Sequence, residues 1–228
     1  MPIEQGIEAI ASYDQRLRAT VPTIDYLLER GCRVILCSHL GRPQGKVEDG
    51  LRLAPVGDRL AMLLGHPVTS LSDCVGPDVE SGIDQMQTGE IVLLENLRFH
   101  SGEEKNDPEF SQSLAKLADC FVMDAFAVSH RAHASTVGIT HYLPSAMGLL
   151  VQREVDSMGT ALESPQSPLA ALLGGAKVSD KILVLENLLD KLDHLYIGGG
   201  MAVTFLRSQW VGTGAASVEE DLLDCQLQ

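Results

Sequence analysis

Aromatic residues make up only 4% of this 228-residue chain. Core volume must therefore come from Leu, Val, Ile, Ala and Met, the usual filling of an α/β protein. Basic residues are also scarce: 17 Lys and Arg stand against 31 Asp and Glu, a formal charge of −14. Such a field repels polyanions, which argues against general binding to nucleic acid or to an anionic membrane. Any phosphate ligand must then be held by a local cluster of cations. No segment approaches the roughly 20 apolar residues of a membrane-spanning helix, and no basic region followed by an apolar run opens the chain. Cys32, Cys37, Cys74, Cys120 and Cys225 are odd in number and form no C-x-x-C pair. They read as buried free thiols in a reducing compartment, so a cytoplasmic location is expected. Neither a G-x-S-x-G elbow nor a Walker A loop is present. His130 and His133 lack a third ligand at a sensible spacing, so no metal site is expected.

What is present is a repeated alternation of helix and buried strand. Val21, Ile24, Leu27 and Leu28 recur at helical spacing across residues 17–30, and Gly31 closes that helix before the apolar run 34–37. Helices are predicted at 53–64 and 108–117, with strands at 91–94 and 120–123. Continuous apolar strands between amphipathic helices indicate parallel sheets covered by helices on both faces. A long helix is predicted over 147–162 and is broken by Ser164-Pro165-Gln166-Ser167-Pro168. Beyond it come a strand at 169–173, a helix at 179–192, a strand at 195–197 ending in Gly198-Gly199-Gly200, and two short helices. The expected organisation is two Rossmann-like domains: 1–146, a connecting helix over 147–165, and 166–228. Two strands do not make a stable doubly wound sheet, so the second domain is expected to be incomplete.

In open α/β sheets ligands bind at the carboxyl ends of the strands. Here those ends are mostly basic. The first predicted strand runs into Ser38-His39-Leu40-Gly41-Arg42-Pro43 and the next into Glu95-Asn96-Leu97-Arg98. A third runs into Asp124-Ala125-Phe126, with His130-Arg131-Ala132-His133 close behind. Each piece also fits a simpler reading: a turn with Arg42 in solvent, Arg98 paired with Glu103 or Glu104, or a structural His39. Their recurrence at equivalent strand ends points instead to an anion site, because planar guanidinium groups match phosphate and carboxylate geometry. Gly174-Gly175-Ala176-Lys177 and Lys181 follow another predicted strand. Glycine lets backbone N–H groups approach an anion, and lysines four apart on a helix share one face. A plain turn with two solvated lysines fits that stretch as well.

Taken together, these segments closely resemble phosphoglycerate kinase. The resemblance rests on Asp14-Gln15-Arg16-Leu17-Arg18, Ser38-His39-Leu40-Gly41-Arg42-Pro43, Leu94-Glu95-Asn96-Leu97-Arg98-Phe99 and Gly102-Glu103-Glu104-Lys105-Asn106-Asp107. It continues through Asp124-Ala125-Phe126, His130-Arg131-Ala132-His133-Ala134-Ser135, Gly174-Gly175-Ala176-Lys177-Val178 and Gly198-Gly199-Gly200, in the family's order and approximate spacing. It implies reversible phosphoryl transfer between 1,3-bisphosphoglycerate and ADP, giving 3-phosphoglycerate and ATP, with Mg2+ accompanying the nucleotide. It further implies that Arg42, Arg98 and Arg131 hold the 3-phosphate, with His39, Leu40 and Gly41 also lining the substrate. Arg16 and His39 would face the carboxylate or acyl phosphate, and Arg16 and Lys177 would stabilise the phosphoryl group in flight. Gly175, Ala176, Lys181, Gly199 and Gly200 would meet the nucleotide. The helix over 147–162 would form the joint on which the two domains close.

The resemblance also sets out differences. A typical member is nearly twice as long and opens with an interior strand whose end carries an Asp and an Asn that contact the glycerate. Later nucleotide-domain strands, an acidic residue meeting the ribose and a late glycine-rich loop likewise have no counterpart here. Ala127 and Ser129 stand where the family usually has Gly and Ala. The isolated chain is therefore expected not to turn over by itself, and at most to bind 3-phosphoglycerate or else to fold defectively. A monomer that binds small molecules, with no nucleic acid or membrane partner, is expected.

Overall fold

The computed structural model describes residues 14–163, 165–179 and 181–223. The chain divides into two compact units, Met1–Glu154 and Val155–Gln228. The division falls inside one helix, within the stretch the sequence assigns to a connector.

In the first unit, helix α1 (Gln15–Leu28) leads into strand β1 (Val34–Leu36), and helix α2 (Ala54–Leu64) into strand β2 (Val68–Ser70). Gly65 closes α2 in the left-handed conformation, φ 62°, which a residue without Cβ adopts at no steric cost. Helix α3 (Pro77–Asp84) precedes strand β3 (Ile91–Leu93). The three strands run parallel in the order β1-β3-β2, with Ile91 level with both Val34 and Val68. All three residues of β3 are buried, as expected of an interior strand covered on both faces. Helices α4 (Ser101–Glu104) and α5 (Pro108–Ala115) follow, and the Asp107 carboxylate caps α5 by accepting from Phe110 N–H at 2.9 Å. Strands β4 (Phe121–Met123) and β5 (Ser145–Met147) form a second parallel pair. Helix α6 (Leu149–Glu163) begins one residue after Gly148.

The core of this unit lies where helices meet strands. Val92 and Leu94 pack with Val79, Ile83, Phe110 and Leu114, while Ile91 packs with Ile24, Val34 and Leu60. Asp14 ties α1 to α2 by accepting from Arg59 Nε at 3.0 Å and from Arg18 Nε at 2.8 Å, and both guanidinium groups hold its carboxyl below the usual range.

The second unit contains strands β6 (Ala170–Gly174) and β7 (His194–Gly198), paired in parallel, and helices α7 (Ile182–Leu189) and α8 (Gly199–Ser208). Leu173, Leu195 and Ile197 pack against Val178, Leu185 and Met201. On the other sheet face Leu172 and Tyr196 are 80% and 57% exposed.

The α/β architecture with parallel sheets is the one the sequence predicts, with local corrections. Met147 belongs to β5, so the long helix starts at Leu149. The helix predicted over 179–192 is shorter, because its first turn is replaced by a loop pinned from Glu219. In place of two short terminal helices, the described residues hold one α-helix, α8, and a single 3-10 turn at Glu220–Leu222. Strand β2, helix α3 and strand β5 are additional elements. The thiols also differ from expectation: Cys74 is buried and Cys32 partly so, but Cys37 and Cys120 are exposed. Cys225 lies outside the described residues. No described helix is long and apolar enough to cross a membrane.

Candidate functional site

The carboxyl end of β1 is held in place by Asn96, which is fully buried. Its amide nitrogen donates to the Leu40 carbonyl at 2.8 Å and to the Leu51 carbonyl at 3.0 Å, and its oxygen accepts from Leu40 N–H at 3.3 Å and Arg98 N–H at 3.1 Å. Leu97 N–H donates to the Ser38 carbonyl at 3.0 Å and Gly45 N–H to the Arg98 carbonyl at 3.1 Å. Residues 38–45 are thus stitched to residues 96–98 through backbone and amide groups, which leaves the longer side chains free to face a ligand. Gly41 sits at φ +67°, and a Cβ there would lie 2.8 Å from Leu51. Only glycine fits that turn without displacing its neighbour. Glu95 and Glu103 are buried beside it as structural acceptors. Glu95 takes Leu53 N–H at 2.8 Å and Arg52 at 3.2 Å; Glu103 takes Ser135 Oγ at 2.6 Å and Ser135 N–H at 3.0 Å.

Arg98 is the centre of this arrangement. Its side chain is 5% exposed, Nη1 donates to the Gly41 carbonyl at 2.7 Å, and Nε lies 3.2 Å from Glu104 Oε1. Nε thus has a carboxylate oxygen within ion-pair reach though outside hydrogen-bond geometry, whereas Nη2 has no hydrogen-bond partner among the described residues. A buried donor without an acceptor costs on the order of 1–3 kcal/mol, and an anion would satisfy it. His39 lies in the field of Arg98, Arg131 and His133. Burial first, then the charges of Arg98 and Arg131, hold its imidazole down to about 4. Near neutral pH His39 is therefore uncharged, and the site's positive charge comes from guanidinium groups.

The structure thus brings His39, Leu40, Gly41, Arg98 and Arg131 together around the ends of β1, β3 and β4. Arg42 follows in the same loop with its side chain in solvent. Arg16 lies in the first turn of α1, exposed, with no ion pair among the described residues. Asp124, at the end of β4, has a different task from the basic groups: Oδ1 accepts from Leu150 N–H at 2.9 Å and Val151 N–H at 3.2 Å, capping α6.

In the second unit the strand ends again carry the candidates. Gly199 adopts φ +67°, a Cβ there would lie 3.2 Å from the Gly175 carbonyl oxygen, and one on Gly200 would lie 2.9 Å from that of Ala176. Met201 N–H donates to the Gly175 carbonyl at 2.9 Å. Gly175, Ala176, Gly199 and Gly200 therefore form a close backbone-to-backbone contact at the start of α8, where helix N–H groups collect partial positive charge. Lys181 extends along this contact, its Cε 3.3 Å from where a Gly175 Cβ would stand. Lys177 and Lys181 do not ride one helix: Lys181 is the cap of α7 and Lys177 lies in the preceding loop. That loop is shaped by Glu219, which accepts from Val178 N–H, from Ser179 N–H at 3.2 Å and from Ser179 Oγ. The fully buried Val178 anchors it from the other side.

Sequence reasoning passed over Asn96, Glu103 and Glu219 as working parts. For Asn96 a signal existed: an amide directly after a fully apolar strand is buried with that strand and must find partners.

Parallel strands end in fixed glycine turns in both units, with guanidinium groups at the strand ends of the first and lysines at those of the second, the organisation of an α/β protein with parallel sheets. The phosphoglycerate kinase family model matches residues 1–227, and the chain belongs to that family. It is 56% identical over 221 residues to the phosphoglycerate kinase of Moorella thermoacetica, covering 97% of this chain and 56% of that one. To that of Dictyoglomus turgidum it is 52% identical over 224 residues, covering 98% of this chain and 56% of the other. The chain therefore spans about half the length of these relatives. Among solved structures, phosphoglycerate kinase from Coxiella burnetii matches with a TM-score of 0.75 at 43% identity, covering 90% of this chain and 52% of that chain. The enzyme from Pyrococcus horikoshii matches with the same TM-score at 35% identity, covering 86% and 50%.

Proposed function

We propose that this chain carries the glycerate-binding part and a portion of the nucleotide-binding part of a phosphoglycerate kinase, which moves a phosphoryl group between 1,3-bisphosphoglycerate and ADP. The observation that carries this reading is Arg98, buried at a strand end with Nη2 lacking any hydrogen-bond partner among the described residues while Nε meets Glu104 only as an ion pair. A phosphate monoester supplies the acceptor this donor needs. Arg98, Arg131 and Arg42 hold the 3-phosphate, while neutral His39 and the Leu40 to Gly41 backbone orient the three-carbon body. Arg16 and Lys177 supply charge to the phosphoryl group as negative charge spreads over its equatorial oxygens, so the protein positions and stabilises rather than forming covalent intermediates. Lys181 and the backbone contact of Gly175, Ala176, Gly199 and Gly200 receive nucleotide phosphate. Magnesium enters with ADP or ATP as part of that substrate. Residues 147–165 act as the interdomain joint, and the chain works as a cytoplasmic monomer on small molecules.

Calorimetric titration of the chain with 3-phosphoglycerate tests the glycerate assignment. Loss of one charge-assisted contact costs roughly 1.5–3 kcal/mol, or about ten- to a hundredfold in Kd. Arg98→Ala and the solvent-facing Arg42→Ala should both weaken binding by at least about tenfold. Absence of binding by the parent chain at millimolar ligand, or unchanged affinity in both folded variants, refutes the assignment. ATP formation from 1,3-bisphosphoglycerate and ADP tests transfer separately; binding without turnover keeps the pocket and removes transfer from this chain acting alone.

A further inference from the structure

Three different metal-ligating groups meet in the first unit, apart from the arginines. Asp73 and Cys74 occupy the loop between β2 and α3, and His100 immediately precedes α4. A carboxylate oxygen, a thiol sulfur and an imidazole nitrogen from these residues all lie within 4.8 Å of one another. Asp73 and His100 are 27 positions apart in sequence, so the fold and not a local motif gathers the donors. The nearby Arg98 side chain is directed elsewhere, with Nη1 on the Gly41 carbonyl.

Backbone and ring contacts hold the three donors in place. Glu95 N–H donates to the Asp73 carbonyl at 3.3 Å, and Cys74 Sγ donates to the Glu95 carbonyl at 3.0 Å. Cys74 N–H donates to Asp73 Oδ1 at 2.6 Å, which turns that carboxylate back toward residue 74. His100 Nε2 lies 2.6 Å from the same oxygen, and its ring stacks on Phe110 with centroids 4.9 Å apart. Cys74 is fully buried, while the side chains of Asp73 and His100 are 54% and 29% exposed. The cluster therefore has a closed floor at the sulfur and a side open to solvent. The bond between His100 and Asp73 accounts for two of the groups, but the sulfur beside them makes only a weak donor bond in that state.

We propose that Asp73, Cys74 and His100 form a zinc-binding site, with water in the fourth position. Zinc takes carboxylate, thiolate and imidazole together, and this set offers a dication two negative charges and one neutral ligand. The ion enters between His100 and Asp73, where the hydrogen bond now bridges them. His100 binds through Nε2 with its ring proton on Nδ1, and Cys74 releases its thiol proton to solvent as the sulfur–zinc bond forms. Bonds of about 2.0–2.3 Å put tetrahedral donors roughly 3.3–3.8 Å apart, so separations change by about 1 Å or less from those of the hydrogen-bonded cluster. The loaded site ties the loop between β2 and α3 to the segment that carries Arg98, and so stabilises the first unit.

The test strips the full chain with a chelator, keeps it reduced with a phosphine, and titrates it with Co2+ as a spectroscopic stand-in for Zn2+. One equivalent should produce a thiolate-to-cobalt charge-transfer band, which Zn2+ then bleaches. Cys74→Ser should abolish the band, and Cys37→Ser and Cys120→Ser should leave it. Because a buried substitution can unfold the chain, His100→Ala, at a partly exposed position, gives a second arm. Competition with a chromophoric chelator should show it weakening Zn2+ binding at least about tenfold, the smallest loss typical of removing even an outer partner of a metal site. Absence of the band at millimolar Co2+, a band that persists in Cys74→Ser, or unchanged Zn2+ affinity in folded His100→Ala would each overturn the proposal.

Discussion

His39 shows how burial and neighbouring charge set one residue's chemistry. Desolvation lowers its proton affinity, Arg98 and Arg131 lower it further, and the group titrates at about 4 instead of 6.5. Between those values the unfolded chain binds more protons than the folded one, so this residue's contribution to stability is present above about 6.5 and declines as pH falls toward 4. A bound phosphate would offset the two guanidinium charges and return the imidazole toward its ordinary value. The His39 resonance, assigned by difference against His39→Gln, should therefore titrate near 4 in the free chain. With 3-phosphoglycerate it should titrate higher. A free-chain midpoint at or above 6.5 would mean that the imidazole is not enclosed by these groups.

At the level of elements, the loop between β6 and α7 depends on a residue far along the chain. Glu219 holds Val178 and Ser179 across separations of 41 and 40 residues, and its carboxyl is kept below the ordinary range chiefly by the Ser179 hydroxyl. Glu219→Ala should speed amide exchange at Val178 and Ser179 and leave β1 and β3 unchanged; equal exchange in both proteins would show that the buried Val178 alone fixes the loop. This dependence explains why Lys177 and Lys181, four apart in sequence, do not share a helical face. Local spacing cannot report an acceptor supplied from so far away. Long apolar runs were legible for the opposite reason: β3 and α5 carry their periodicity within a few residues, and the structure keeps them nearly as predicted. Strand β2 is Val-Thr-Ser with exposed positions and β5 is exposed throughout, so neither has a hydrophobic pattern to read. Helix α3 offers only Val79 and Ile83 as buried positions in eight residues. Of the site, the charged ends of strands were visible, because cations after apolar runs are conspicuous in so acidic a chain. Their supports, Asn96 and Glu103, were not, since a buried polar group is recognised by its partners.

Over the whole molecule, apolar burial is unevenly shared between the two units. Among the described residues the first holds three clusters of buried residues, whereas the second is centred on Val178, Leu185 and Met201. The sheet of the second unit has two strands among the described residues, and on one face Leu172 and Tyr196 remain in solvent. Hydrogen bonds in such a pair are protected by few buried side chains, so they open through smaller local fluctuations than those of an enclosed strand. Strand β3 is the opposite case, paired on both sides and buried at every residue. Native-state hydrogen exchange on the full chain should therefore show the amides shared by β6 and β7 exchanging at least about tenfold faster than those of Val92 and Leu93, a difference of roughly 1.4 kcal/mol or more in opening free energy. Low denaturant should erase protection in β6 and β7 first, because their opening exposes less surface than global unfolding. Matching rates and matching denaturant slopes in β3, β6 and β7 would instead show one cooperative unit whose stability is not set by the local count of buried apolar groups.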